Sequence, residues 1–263
     1  MSGARVHPHL VEDRRDHIAV LRVEREEALG ALSRSMVEAL LDYARGIAAD
    51  PGVRVLVLTG TGRGFIAGAD IGEYHGVSQV EFDAYQRLSR RAFGSLTALP
   101  QPVIAAVNGY ALGGGFEVAL CCDLIVASTK ARFGLPEVKL GLLPGGGGSQ
   151  RLARAIGVRA TKELLMTGRP MRPDEAERRG LLARVVEPEE LMGAALELAE
   201  ELAARAPLAV REAKRLVDDG VEGALEAAWT LEQRVLGALF ASEDAREGIQ
   251  AFIDKRDPGF RGR

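Results

Sequence analysis

The sequence predicts an α/β fold with mostly parallel strands, followed by an all-helical C-terminal segment. Three observations carry this. Strand and helix signals alternate through residue 187, the order that layers helices on a parallel sheet. Beyond residue 188 the strand signals stop, and four stretches at helical spacing follow. The 263 residues, 47% hydrophobic with only 5% aromatic and 31 glycines, describe an Ala/Leu/Val/Gly-packed chain with close backbone approaches. That length suits one large domain with an appended segment.

Taken in order, "HIAVLRVE" (17–24) alternates and ends in charge, so it reads as a first strand. Met36, Leu40, Leu41, Ala44, Ile47 and Ala48 recur at helical spacing, with Ser33 or Ser35 as N-cap and Pro51 after the end. "VRVLVLTG" (53–60) is a β-branched run closed by glycine, hence a buried strand, and "GTGRGFIAGADI" (60–71) reads as a loop. A helical pattern resumes over 78–99 and stops at "PQP". "VIAAVNG" (103–109) is a second buried strand, 115–122 is helical, and "DLIVAST" (123–129) is a third strand. Residues 131–150 form a long glycine-rich connection. The helical stretches 189–207, 208–220, 223–240 and 242–256 make up the tail. The shift in composition divides the chain into 1–196, the α/β core, and 197–263, a helical segment whose Ala- and Leu-rich faces pack on that core or on another subunit.

Composition excludes several functions. A net charge of −3 offers no basic face for nucleic acid. The first twenty residues mix both charges and lack an apolar core, so no signal peptide is expected, and their acids argue against a transit peptide. No apolar run free of charge and turn residues is long enough to cross a bilayer, so no membrane partner is expected. Cys121 and Cys122 are adjacent and read as buried thiols of a reducing compartment, the cytoplasm. No Gly-Lys-Ser/Thr ending exists for a phosphate loop, and "GTGRGF" places Phe65 where a dinucleotide fingerprint needs glycine. His7, His9, His17 and His75 lack metal-ligand spacing, and Ser149 has no nearby base.

What remains is two acids and glycine-lined backbone. In "VIAAVNGYALGGGFEVALCCDL", Glu117 is the one charged residue between Arg91 and Asp123. A lone buried carboxylate costs several kcal/mol unless it is compensated. Glu117 is therefore exposed, locally partnered, or retained for chemistry, and a first-turn Glu that only complements the helix dipole fits the spacing as well. The glycines before it leave the first helical N–H groups free and let a ligand atom touch the backbone, which suits an oxygen that becomes anionic. Glu137 stands in similar apolar surroundings, either paired with Lys139 or free for chemistry.

These residues resemble the signature of the enoyl-CoA hydratase/isomerase family, the crotonases. "AGADI" (67–71), "FGLPEVKLGLLPGGGGSQRLARAIG" (133–157), "TGRPMRPDEAERRGLLARVV" and "EDAREGIQAFIDKR" resemble the blocks expected beside it, in order, so that the likeness runs from about residue 17 to 256. The resemblance implies a right-handed spiral of ββα units with a C-terminal helical trimerisation segment, assembled as a homotrimer or homohexamer. It implies an oxyanion hole made by the N–H groups of Ala69 and Gly114, catalytic carboxylates at Glu117 and Glu137, and no cofactor beyond the CoA of the substrate. It sets the adenine of CoA against residues 67–70 and the segment around Ala28, so Ala67, Gly68 and Asp70 become CoA contacts. Ile71, Gly113, Pro136 and Gly145 complete the substrate contacts. Two positions depart from the family habit: Gly72 where lysine is common, and Glu27 where a basic residue is frequent near the adenine. The implied reaction is hydration of a trans-2-enoyl-CoA in fatty-acid or related acyl-CoA degradation. Isomerases of the family keep the acid matching Glu137 and lose the other, hydratase-lyases keep both, and a non-catalytic homologue binding RNA or a partner is the reading from another class.

Overall fold

The computed structural model describes residues 3–263. β1 (Ala4–His7) and β2 (Leu10–Arg15) form an antiparallel hairpin that continues antiparallel into β3 (Ile18–Val23). The chain then makes one move three times. β4 (Val55–Gly60) enters the main sheet, and a tight corner sends β5 (Gly64–Ile66) into a second one. β6 (Val103–Val107) and β7 (Tyr110–Leu112) do the same, as do β8 (Leu124–Ser128) and β9 (Arg132–Gly134). With β10 (Arg184–Val186) at the edge, the main sheet has the order β1-β2-β3-β4-β6-β8-β10, parallel from β3 onward. The second sheet, β5-β7-β9, is parallel throughout.

The main sheet is buried on both faces, as a parallel sheet must be. Side chains alternate along each strand. Leu21, Leu56, Leu58, Ala105 and Val107 face one core, which α1 (Arg34–Ala49) and α2 (Gln79–Thr97) help to fill through Leu40, Ala44, Phe93 and Leu96. Val20, Val57, Ile104 and Val126 face a second, smaller core against Leu191, Ala195 and Ala199. Both large helices start where their side chains demand. The hydroxyl of Ser33 accepts the Met36 N–H, and Ser78 with Glu81 forms a reciprocal capping box.

α3 (Gly114–Ala119) follows β7 directly, and α4 (Gly148–Ile156), α5 (Val158–Thr167) and α6 (Pro173–Arg178) lead to β10. α7 (Leu191–Ala203) covers the smaller core, so residues 196 and 197 lie within one continuous helix that packs on the sheet. α8 (Pro207–Val221), α9 (Leu225–Phe240) and α10 (Glu243–Asp254) follow.

Two expected loops hold structure. The stretch 60–71 contains β5, and the glycine-rich connection 131–150 contains β9, a 3-10 turn at Glu137–Leu140 and the start of α4. Three-residue strands carry no periodicity; they exist because the sheet pairs them. The helix expected over 115–122 spans Gly114–Ala119 and unwinds into turns before Asp123. Among the described residues no helix is long and apolar enough to cross a membrane.

Candidate active site

The second sheet brings the glycine-rich segments together. β5 and β7 run side by side, so the segments that leave them, 67–71 and 113–117, emerge next to each other. Gly115 marks how close they come: a Cβ there would lie 1.8 Å from the Ile66 carbonyl oxygen. Ala69 is pinned from its other side by a bridge to Leu32, where the Leu32 N–H donates to Gly68 O at 2.9 Å and the Asp70 N–H to Leu32 O at 2.8 Å. Arg25 reinforces this by donating to Ala31 O at 2.8 Å and to Asp70 Oδ2 at 2.7 Å.

Two backbone donors result. A Cβ placed on Gly114 would lie 3.8 Å from the Ala69 nitrogen. Among the described residues, the N–H groups of Ala69 and Gly114 have no backbone acceptor. Gly114 opens α3, so its N–H belongs to the unpaired first turn. Gly113 before it sits at φ 52°, which only glycine adopts cheaply, and Ala69 and Gly114 line one cavity.

Glu117 is 3% exposed, and the structure answers how it is tolerated. Its Oε1 accepts the N–H groups of Gly146 and Gly148, both at 2.8 Å. The chain at 145–148 can approach this closely because a Cβ on Gly146 would stand 2.4 Å from Phe93 Cδ2 and 2.8 Å from Glu117 Oε2. Burial raises the Glu117 pKa, and the Gly148 and Gly146 amides, with the Arg151 charge, oppose that rise. Glu137 has less help. It begins the 3-10 turn after Pro136 and its Oε2 is buried; among the described residues that oxygen has no hydrogen-bond partner, and Glu137 makes no ion pair with Lys139. Burial, with a smaller contribution from Glu117, pushes its pKa up to about 7. A Cβ on Gly113 would stand 3.2 Å from Glu137 Oε1, so both acids flank the mouth of α3.

Both carboxylates and both free amides line one cavity of about 150 Å³. One water needs roughly 10–15 Å³ by the same measure, so the cavity has room for a small organic chain as well as water. A pair of acids with raised pKa values beside two unpaired amides can split a water molecule over an activated carbonyl.

The chain matches the enoyl-CoA hydratase/isomerase family model over residues 13–263. It belongs to that family. A crotonyl-CoA hydratase of Syntrophomonas wolfei is 39% identical over 96% of this chain and 97% of its own. A short-chain-enoyl-CoA hydratase of Clostridium acetobutylicum is 41% identical over 97% of this chain and 98% of its own. The crystal structure of an enoyl-CoA hydratase from Bacillus anthracis superposes with a TM-score of 0.95 at 37% identity, covering 97% of this chain and all of the other. The crotonase fold expected from the sequence is thus the fold observed.

Within this crotonase fold, most of the expected site residues converge. Ala67, Gly68, Ala69, Ile71, Gly113, Gly114, Glu117, Pro136, Glu137 and Gly145 line the cavity. Ala28 and Asp70 do not: Ala28 ends a 3-10 turn (Glu26–Ala28) next to Leu29, whose carbonyl accepts the Ala67 N–H, and the Asp70 carboxylate is held by Arg25. Sequence reasoning missed the remaining wall. Phe82, Tyr85, Gln86, Ser89 and Phe93 project from one face of α2, with Tyr74 opposite. Their spacing of three or four is legible as a helix face, but only the fold shows that this face meets a cavity. The two amides that hold Glu117 were missed too, since they lie 29 and 31 residues along the chain.

Proposed function

We propose that this chain is an enoyl-CoA hydratase, a carbon–oxygen lyase that interconverts trans-2-enoyl-CoA and 3-hydroxyacyl-CoA. One observation carries the reading: two carboxyl groups with raised pKa values share a cavity with two unpaired backbone amides. The thioester oxygen sits on the Ala69 and Gly114 N–H groups, which favour the enolate-like charge that grows as water adds to C3. Glu117, supported by two N–H donors, is the acid better able to stay ionised, and it takes the proton of the attacking water. Glu137, with its proton retained up to about pH 7, delivers a proton to C2. The presence of both acids favours hydration over isomerisation. CoA enters as part of the substrate, so the proposed acid–base chemistry requires no further cofactor.

The acyl group is short. Phe82, Tyr85 and Phe93 bound the cavity, and the named activities of the two bacterial relatives point the same way. Exposed Trp229, Leu236 and Phe240 on α9 and Phe252 on α10, the last 87% exposed, give the helical segment an apolar face for further copies. A homotrimer or homohexamer in the cytoplasm, turning over acyl-CoA in fatty-acid or related degradation, fits these features.

The test is to mix the purified protein with crotonyl-CoA and follow loss of the enoyl-thioester absorbance. Absence of turnover on short, medium and aromatic enoyl-CoAs would remove the proposal. Glu117→Gln and Glu137→Gln should each lower kcat by about two to four decades while acyl-CoA affinity stays close to wild type. Wild-type turnover in either variant would strip that residue of its role.

A further inference from the structure

The wall of the cavity beyond the two acids is aromatic and aliphatic, and two neutral hydrogen-bonding side chains of α2, Gln86 and Ser89, interrupt it. Ser89 is 5% exposed and lines the cavity; among the described residues its Oγ makes no hydrogen bond within 3.5 Å, and its nearby polar neighbour is the Tyr85 hydroxyl, whose burial-raised pKa Ser89 partly offsets. A serine inside a helix ordinarily satisfies its hydroxyl on the carbonyl three or four residues back. Others here do: Ser95 on the same helix donates to Ala92 O at 2.7 Å, and Thr161 to Gly157 O at 3.0 Å. Ser89 leaves that option unused. A buried hydroxyl without a partner is costly, and alanine would fill the same helical position without that cost.

Gln86, one turn earlier, lines the same cavity and donates to the Tyr74 hydroxyl at 3.3 Å. Its Oε1 accepts no hydrogen bond among the described residues and lies against the backbone of Gly145, 2.1 Å from where a Cβ would stand. The charged residues lining the cavity, Glu117 and Glu137, are both acidic, so an anionic chain end is disfavoured there. Resting on the acyl-CoA reading of this site, we infer that the acyl pocket binds a neutral hydrogen-bonding substituent on the acyl chain, such as a hydroxyl, through Ser89 assisted by Gln86.

Calorimetry on the full chain tests this with matched pairs: butanoyl- and 4-hydroxybutanoyl-CoA, pentanoyl- and 5-hydroxypentanoyl-CoA, hexanoyl- and 6-hydroxyhexanoyl-CoA. In at least one pair the hydroxylated ligand should bind about 3–10-fold more tightly than its partner, the range that one net hydrogen bond supplies. Ser89→Ala should bring that ratio down to about one, and continued binding of the plain acyl-CoA will show its pocket intact. If no pair favours the hydroxyl, or if the preference survives Ser89→Ala, the inference is wrong. Crotonyl-CoA hydration measured alongside keeps the two readings apart. Loss of hydration with a persistent hydroxyl preference sinks the reaction alone, and the converse sinks only the specificity.

Discussion

Replacing Glu137 by glutamine removes a carboxyl group that burial pushes from an ordinary 4.5 up to about 7. Between those values the folded chain keeps a proton that the unfolded chain has released. The folded state therefore binds more protons, and its stability falls as pH rises through that window. The interval from 4.5 to about 7 corresponds to about 3 kcal/mol at ~1.4 kcal/mol per pH unit, and partial contact with solvent trims it to about 2 kcal/mol. Glutamine does not titrate. The stability difference between Glu137→Gln and wild type should therefore move by about 2 kcal/mol in favour of the variant as pH goes from about 4.5 to 7, then level off above. Any constant offset from the new amide cancels, because only the change with pH is diagnostic.

Urea denaturation of both proteins across this range, at one fixed protein concentration, gives the difference directly. All other titrating groups, Glu117 included, are common to the two proteins, and Glu117 enters only through the charge it presents to Glu137, a smaller cause of the shift than burial. A difference that stays flat with pH, or that moves toward the wild type as pH rises, would refute a raised Glu137. The activity argument would fall with it, because a carboxyl that titrates at an ordinary value holds too little proton near neutrality to serve at C2.

The remaining predictions test neighbouring parts of the same design. The pH profile of kcat/KM should be bell-shaped, with its alkaline limb near pH 7 from deprotonation of Glu137, and Glu137→Gln should lose that limb along with most of the rate. Gly114→Ala should fold normally, since the new Cβ meets only ordinary contacts at 3.7–3.9 Å, yet it stands beside the Ala69 N–H and should cost about 10²-fold or more in kcat. Gly115→Ala one residue on meets Ile66 O at 1.8 Å and should compromise folding instead, which circular dichroism will distinguish. Lys214→Met removes a half-buried ammonium that reaches Asp123 Oδ2 at 2.9 Å and Gln101 O at 3.2 Å, leaving Asp123 without its cation. It should cost about 1–3 kcal/mol in urea unfolding, and adding Asp123→Asn should recover part of that; an unchanged midpoint would show the pair to be idle.

What could be read in advance follows from where the deciding interactions lie along the chain. α1 and α2 were legible because Ser33 and Ser78 cap them locally, and β4 and β6 because burial on both faces demands unbroken apolar runs. β5, β7 and β9 were not, because three residues acquire a strand's identity only from partners more than twenty positions away. The same division runs through the site. Glu117 betrayed itself as a charge amid apolar neighbours, since desolvation must be offset somewhere. The offset itself, the Gly146 and Gly148 amides, depends on how α4 is brought against α3 and has no local signature. Ala69 came from family resemblance alone, because a backbone N–H is present at every residue but proline and its freedom is a property of the fold. Ser89 marks the limit of the approach: its spacing on α2 assigns it to the face that holds core residues Tyr85, Phe93 and Leu96. A hydroxyl on such a face reads as a tolerated defect until the cavity beside it is known, and then the missing partner becomes a statement about what enters.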